Sequence, residues 1–332
     1  MPSLRYYRRI FSAYLLGGKS HLTFWHETPA ENPNATPHEL GEYYMLFAEK
    51  ADYAGAYDPS GIPQLDYHGH IGLQYNPIAI AQYGLGNYNL FRRSNDPARR
   101  QKFFLIADWL CDHLEANVHG LAVWQHHFDW EYRDTLKAPW YSALAQGQGI
   151  SVLVRAWKES GEARYLEAAQ RALASFYKPV TEGGVAFTDY RNNDKSGDLW
   201  FEEYIVTPPT HILNGFIWAT WGVYDYFLAT KDKSAQELFA RAVQTLLHNL
   251  DHFDLGFWSL YEQSGTRLPM VASNFYHRLH IVQLRVMHRL TGGLTENDKF
   301  AEVADRWQSY TQSRTNRTRA LLYKAAFKLC YY

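Results

Sequence analysis

Past residue 74 the chain repeats itself with the length of a helical hairpin plus a loop, and this period constrains the fold more than any other feature. Four apolar helical segments, each opening on an aromatic or a proline, begin near Tyr75, Tyr141, Pro209 and Phe275, spaced 66, 68 and 66 residues apart. These first helices ("YNPIAIAQYGLGNYNLF", "YSALAQGQGISVLVRAW", "PTHILNGFIWATWGVYDYF", "YHRLHIVQLRVMHRL") are rich in small residues and carry Gln, Asn and His on apolar faces. That suits an inner ring whose polar groups face a cavity. The second helices ("ARRQKFFLIADWLCDHL", "ARYLEAAQRALASFY", "AQELFARAVQTLLHNL", "DKFAEVADRWQSYTQ") set apolar residues at helical spacing against a charged face, as an outer layer does. The pattern predicts a mainly α fold, an (α/α) barrel or toroid of about four helical hairpins. Between the hairpins lie glycine-led, alternating aromatic stretches, read as β-hairpins on one rim.

Residues 1–74 do not join the period and are expected to form an N-terminal wrap on the barrel. Within them "YYRRIFSAYLL" and "HELGEYYMLFAEKADYA" read as helices. The barrel is expected over 75–315, with a basic tail over 316–332. Formal net charge is −1, so no global field draws in nucleic acid. Cys111 and Cys330 lie far apart with no ligand-spaced partner, which argues against a zinc site or a disulfide framework and for a reducing compartment. The N-terminal apolar run is short and broken by Gly17-Gly18-Lys19, so neither a signal peptide nor a spanning helix is expected. A cytoplasmic location follows, with peripheral membrane contact through the basic, aromatic tail as an option.

Gly-rich phosphate loops, HExxH, GxSxG and Cys-His nucleophile patterns do not occur. Carboxylates, tyrosines and histidines on the loops remain. "LWFEEYIVTPP" places Glu202, Glu203 and Tyr204 just before the third inner helix, either as a solvated or capping acid pair or as an acid/base centre at the barrel mouth. Tyr261 and Tyr276 flank the fourth loop, where packing is the plainer reading. Adjacent His126-His127 and the pair His68 and His70 lack acidic partners at ligand spacing, so no metal is expected. Gln82, Tyr83, Gln146, Gln148 and Asn214 on inner helices are expected to face the cavity, although hydrogen-bonded core positions leave the same trace.

"NPIAIAQYGL", "WYSALAQGQGISVLVRA", "WFEEYIVTPPTHILNGFIWATWGVYD" and "YHRLHIVQL", in that order, resemble the C-terminal catalytic domain of the D-glucuronyl C5-epimerases. These enzymes convert glucuronic to iduronic acid within heparosan-type chains. The resemblance runs from about residue 72 to "RWQSY" and implies an (α/α) barrel. It also implies catalytic roles for Glu203, Tyr204, Tyr261 and Tyr276, with Asn214 lining the substrate cleft. Inverting C5 removes a proton from one face and returns one to the other, so two acid/base groups must flank the ring. Tyr276 and the Glu203/Tyr204 pair are assigned to opposite faces, with Tyr261 stabilising the intermediate.

The sequence departs from the family where cations are needed. Arginines that the animal enzymes carry near the tyrosines matched by Tyr261 and Tyr276 are replaced by "YEQSGTR" and "ASNFYH". Carboxylate-binding groups are therefore sought among Arg133, Lys137, Arg191, Arg267, His277 and His280, the last matching a family histidine. No cofactor is expected, and nothing in the sequence supports reliance on calcium. The expected partner is a uronic-acid polysaccharide or oligosaccharide, and a homodimer could complete a polymer cleft. Rival readings are a polysaccharide lyase forming the same C5 carbanion and a non-catalytic carbohydrate-binding toroid.

Overall fold

A computed structural model of the chain describes residues 27–132, 135–191, 197–292 and 298–331. The expected helix "YYRRIFSAYLL" and Arg133 lie outside the described residues. Within them, inner helices α1 (Pro77–Ser94), α3 (Ala143–Ser160), α5 (Leu213–Thr230) and α7 (Asn274–Leu290) alternate with outer helices α2 (Pro97–Asp112), α4 (Ala163–Leu173), α6 (Lys233–Asn249) and α8 (Asp298–Gln312). Each inner helix packs on its own outer helix, and α1, α3, α5 and α7 pack in succession, making an α/α toroid.

Local chemistry explains the repeat. Asn76, Ser142 and Ser273 cap α1, α3 and α7, their side-chain oxygens accepting N–H bonds from Ile78 (2.9 Å), Ala145 (3.0 Å) and Tyr276 (3.2 Å). The inner-to-outer turns share one design. Ser94, Ser160 and Thr230 each donate a hydroxyl to the carbonyl four residues back and accept the backbone N–H two residues on. The residue between, Asn95, Gly161 or Lys231, takes the left-handed conformation, and Asp96, Glu162 or Asp232 then opens the outer helix. Close approach of α3 and α5 depends on glycines, since a Cβ on Gly222 would lie 2.2 Å from the Gly147 carbonyl oxygen.

The N-terminal ends of the inner helices form the rim. Antiparallel pairs there join Leu114–Ala116 to Ala122–Trp124, Trp130–Glu131 to Thr135–Leu136, and Ala186–Asp189 to Asp198–Phe201. The fourth loop, expected as a hairpin, pairs only through the isolated bridges Asp254–Ser259 and Leu260–Val271. Rim loops dock on the preceding inner helix: Ala143 N–H donates to the Glu202 carbonyl (2.9 Å) and Leu213 N–H to that of Tyr261 (3.1 Å). Orphan helix N–H groups are thereby satisfied, and the loops acquire a fixed height.

The opposite end is closed by the N-terminal segment. The Asn89 side chain accepts from Tyr43 N–H (2.7 Å), Tyr224 donates to the Pro37 carbonyl (2.7 Å), and Arg289 pairs with Glu31 (2.6 Å). Arg155 and Asp225, both fully buried, pair at 2.6 Å beneath Tyr44, whose hydroxyl donates to Asp225 (2.7 Å). The expected helix over "HELGEYYMLFAEKADYA" shrinks to one turn, Ala48–Ala51. Side chains of the inner helices claim its backbone groups, and Tyr43, Tyr44 and Met45 are buried consecutively, which one helical face cannot do. The basic C-terminal stretch lies in α9 (Arg314–Tyr331), which packs on the fourth loop through Arg319 over Phe257 (4.0 Å) and Lys324 to the Val271 carbonyl (3.0 Å). Among the described residues no helix is long and apolar enough to cross a membrane.

Candidate active site

A cleft opens among the N-terminal ends of the inner helices. Glu203 and Tyr204 enter it from the rim loop before α5, Phe275 and Tyr276 from the first turn of α7, Asn214 and Trp218 from α5, and Asn76 and Gln82 from α1. Tyr67, Phe128, Trp130 and Trp140 supply an aromatic wall of the kind that stacks on sugar rings, and Lys50 enters from the floor. Thus Glu203, Tyr204, Tyr276, Asn214 and Gln82, all singled out in the sequence, line one cavity.

Glu203 is 5% exposed, and its Oε2 lies 3.4 Å from the Asn214 side-chain amide nitrogen. Its carboxyl packs on Gly215, where a Cβ would stand 2.1 Å from Oε2. Burial, then the charges of Glu262 and Glu202, push its pKa up to about 8. Glu202 has another task. Its carboxylate takes His211 through the backbone N–H (3.2 Å) and Nδ1 (2.5 Å), while His211 Nε2 lies 3.3 Å from Asp189. Trp200 stacks on that imidazole at 4.4 Å, so the pair that looked equivalent in sequence divides into one cleft acid and one anchor for the rim loop.

Tyr261 lies behind Tyr276, their ring centroids 4.8 Å apart, and its phenol works against the upward shift of Tyr276. Burial, reinforced by the negative charge of Glu203, moves the phenols of Tyr204, Tyr261 and Tyr276 upward, so all three are neutral donors in the free protein. Tyr204 packs on Tyr132 (4.6 Å), and Tyr132 donates to buried Glu262. Glu262 was not singled out in the sequence. The signal available was the inverted echo of "EEY" in the "LYEQ" of the next rim loop.

Other expected site residues take supporting places. Gln148 accepts from Gln82 Nε2 (3.0 Å) and lies behind it. Gln146 accepts from Trp124 N–H (2.9 Å) and donates to the Ala122 and Ala172 carbonyls (both 3.2 Å), tying α3 to its hairpin instead of lining the cleft. Tyr83 is buried against Tyr57 (5.9 Å), on the side of α1 away from the cleft lining. Histidines 277 and 280 are fully buried around Ser259, with His277 stacked on Trp258 at 3.8 Å. Burial lowers both, His277 to about 3, so neither carries a charge to the cleft. Arg191 pairs with Asp189 (2.7 Å), Lys137 with Asp129 (2.6 Å), and Arg267 is exposed. His126 stacks on Trp140 at 3.7 Å, and His68 pairs with Asp66 (2.9 Å) at the surface.

Lys50 is the cation that sequence reasoning missed. It is 1% exposed, donates to Gln82 Oε1, and sits 4.5 Å from the Phe47 ring centroid. Burial lowers its pKa to about 8, against the opposing pull of the Glu27 charge.

Residues 119–309 match the family model described as the D-glucuronyl C5-epimerase C-terminus. The D-glucuronyl C5-epimerase of Caenorhabditis elegans is 31% identical over 227 residues, covering 64% of this chain and 35% of that protein. Uncharacterized protein MJ1128 of Methanocaldococcus jannaschii is 31% identical over 171 residues, 51% of this chain and 53% of the other. The chain therefore spans between about a third and about a half of the length of these curated relatives. Among solved structures, the unsaturated glucuronyl hydrolase from Bacillus sp. GL1 superposes with a TM-score of 0.46 at 15% identity, over 70% of this chain and 61% of that one. An unsaturated glucuronyl hydrolase specific for heparin gives 0.46 at 12% identity, over 76% and 75%.

Proposed function

The chain belongs to the D-glucuronyl C5-epimerase C-terminal family, and from that premise we propose that it inverts C5 of uronic acid residues, taking D-glucuronic to L-iduronic acid within a heparosan-like or related polysaccharide. One observation carries the reading. A buried carboxyl whose pKa is pushed up to about 8, Glu203, shares an aromatic cleft with the neutral phenol of Tyr276. Proton removal from carbon needs a base that is available near the working pH, and return of a proton needs a donor on the other side.

In this mechanism the ionised Glu203 takes the C5 proton, and the electron pair left behind is delocalised into the sugar carboxylate. Tyr276 delivers its phenolic proton to the opposite face of C5, leaving a phenolate that the neighbouring Tyr261, which lowers the Tyr276 pKa against burial, stabilises. Proton transfer from Glu203 back to Tyr276, through solvent or the neighbouring tyrosines, resets the site. Tyrosine as the first base is disfavoured because its surroundings raise its pKa. At pH 7 roughly a tenth of a group with a pKa near 8 is ionised, enough for a working base. No cofactor enters these steps.

The test is incubation with heparosan, its N-sulfated form and other glucuronans in deuterated water, read by NMR. Deuterium at C5 with iduronate signals and unchanged chain length is expected. Shortened chains with unsaturated, ultraviolet-absorbing ends would make the protein a lyase, and absence of exchange with every polymer would sink the epimerase reading.

A further inference from the structure

Removing a proton next to a carboxylate builds charge on that carboxylate, and catalysis requires a fixed positive group there. We propose that Lys50, delivered by the N-terminal segment through the barrel floor, binds the carboxylate of the uronic acid ring in the cleft. The assignment rests on the uronate reading above. It places the required cation outside residues 119–309, which match the family.

Two observations at the cleft carry it. Among the described residues lining the cleft, Lys50 alone is basic. Its ammonium is buried against the Gln82 amide oxygen and the face of Phe47, and the charge that acts on it is that of the buried Glu27, whose carboxylate accepts the Lys50 backbone N–H (3.2 Å). Desolvation outweighs the pull of Glu27 on this ammonium, so a ligand anion in the cleft would complete its compensation.

The turn that carries Lys50 is also built for the purpose. Phe47, a bulky residue, takes φ 48°, a left-handed conformation that is strained for a side chain of its size. Gly86 makes room for that turn, since a Cβ there would lie 2.5 Å from the Phe47 carbonyl oxygen. Asn89 pins the approach by accepting from Tyr43 N–H (2.7 Å) and donating to the Met45 carbonyl (2.8 Å). Gln148 accepts from Gln82 Nε2 at 3.0 Å, which fixes the Gln82 amide with its oxygen toward Lys50. A lysine needed only to fill space would not require this framework.

The experiment compares binding of a heparosan oligosaccharide with the same oligosaccharide after its carboxyls are reduced to alcohols, by calorimetry on the full chain. Wild-type protein is expected to prefer the charged ligand by about ten- to a hundredfold, the range of a charge-assisted hydrogen bond. Lys50→Met is expected to abolish that preference while binding the reduced ligand as before, and Lys50→Gln is read the same way should the methionine variant fail to fold. A wild-type protein without the preference, or a folded variant that keeps it in full, overturns the proposal. C5 exchange reports separately on the epimerase. Exchange without a Lys50-dependent preference removes Lys50 and keeps the function, whereas a Lys50-dependent preference without exchange does the reverse.

Discussion

Replacing Glu203 by glutamine should make the protein more stable in alkali while removing its activity. In the unfolded chain the carboxyl ionises at its usual 4.5, whereas in the fold burial and the neighbouring acids hold it protonated up to about 8. Between those values the folded state keeps a proton that the unfolded state has released, so stability falls as pH rises from about 4.5 and levels off above about 8. Each pH unit of that interval is worth about 1.4 kcal/mol, and relaxation around the ionised group returns part of it, which leaves roughly 3–5 kcal/mol. Glutamine imitates the protonated acid at every pH. Urea unfolding at pH 5 should therefore show wild type and Glu203→Gln within about 1 kcal/mol, while at pH 9 the variant should be more stable by roughly 3–5 kcal/mol. Other titrating groups largely cancel in the difference. In the same variant C5 exchange should fall by about 10²–10⁴-fold. A stability difference that stays constant from pH 5 to pH 9 would refute the claim that the fold raises this carboxyl.

Two further substitutions probe how the site and its floor are held. Gly215→Ala puts a methyl 2.1 Å from Glu203 Oε2, so it should cost about 1–3 kcal/mol by overpacking and cut C5 exchange about a hundredfold through displacement of the carboxylate. Calorimetric melting and NMR exchange measure the two effects, and exchange within threefold of wild type would show that Glu203 tolerates the shift. Asp225→Asn removes one partner of the fully buried Arg155 pair and weakens the Tyr44 bond, an expected loss of about 3–5 kcal/mol in denaturant unfolding. A loss under 1 kcal/mol would mean that the pair does little to hold the floor in place.

The rim half of the site was legible in the sequence because its residues travel with the period. Tyr276 stands in the first turn of α7, where a helix start fixes height and direction, and Glu203 and Tyr204 stand on the rim loop before α5, held by the Ala143 N–H bond to the Glu202 carbonyl. The polar residues farther along those helices were not legible in the same way. Gln82 lines the cleft, whereas Gln146 serves two backbone groups of the hairpin before it and one of α4, and His280 is enclosed with Ser259 and Trp307. A polar side chain satisfied inside the core and one facing a cavity obey the same hydrogen-bonding rule, so type and spacing do not separate them.

What the sequence determined by itself is local physics that recurs along the chain: apolar faces on four helical hairpins, capping side chains before three of the inner helices, and three turns in which a hydroxyl, a left-handed residue and an acid join inner to outer helix. Those terms act over a few residues, so they can be read in order along the chain. Only the tertiary structure decided which charges meet. Arg155 finds Asp225 seventy positions away, Glu202 is drawn off to His211 and leaves Glu203 to the cleft, and Lys50 reaches the cavity from a segment that shows no periodicity. Desolvation then sets the protonation of each group, and desolvation is a property of everything packed around a side chain, not of its neighbours in sequence.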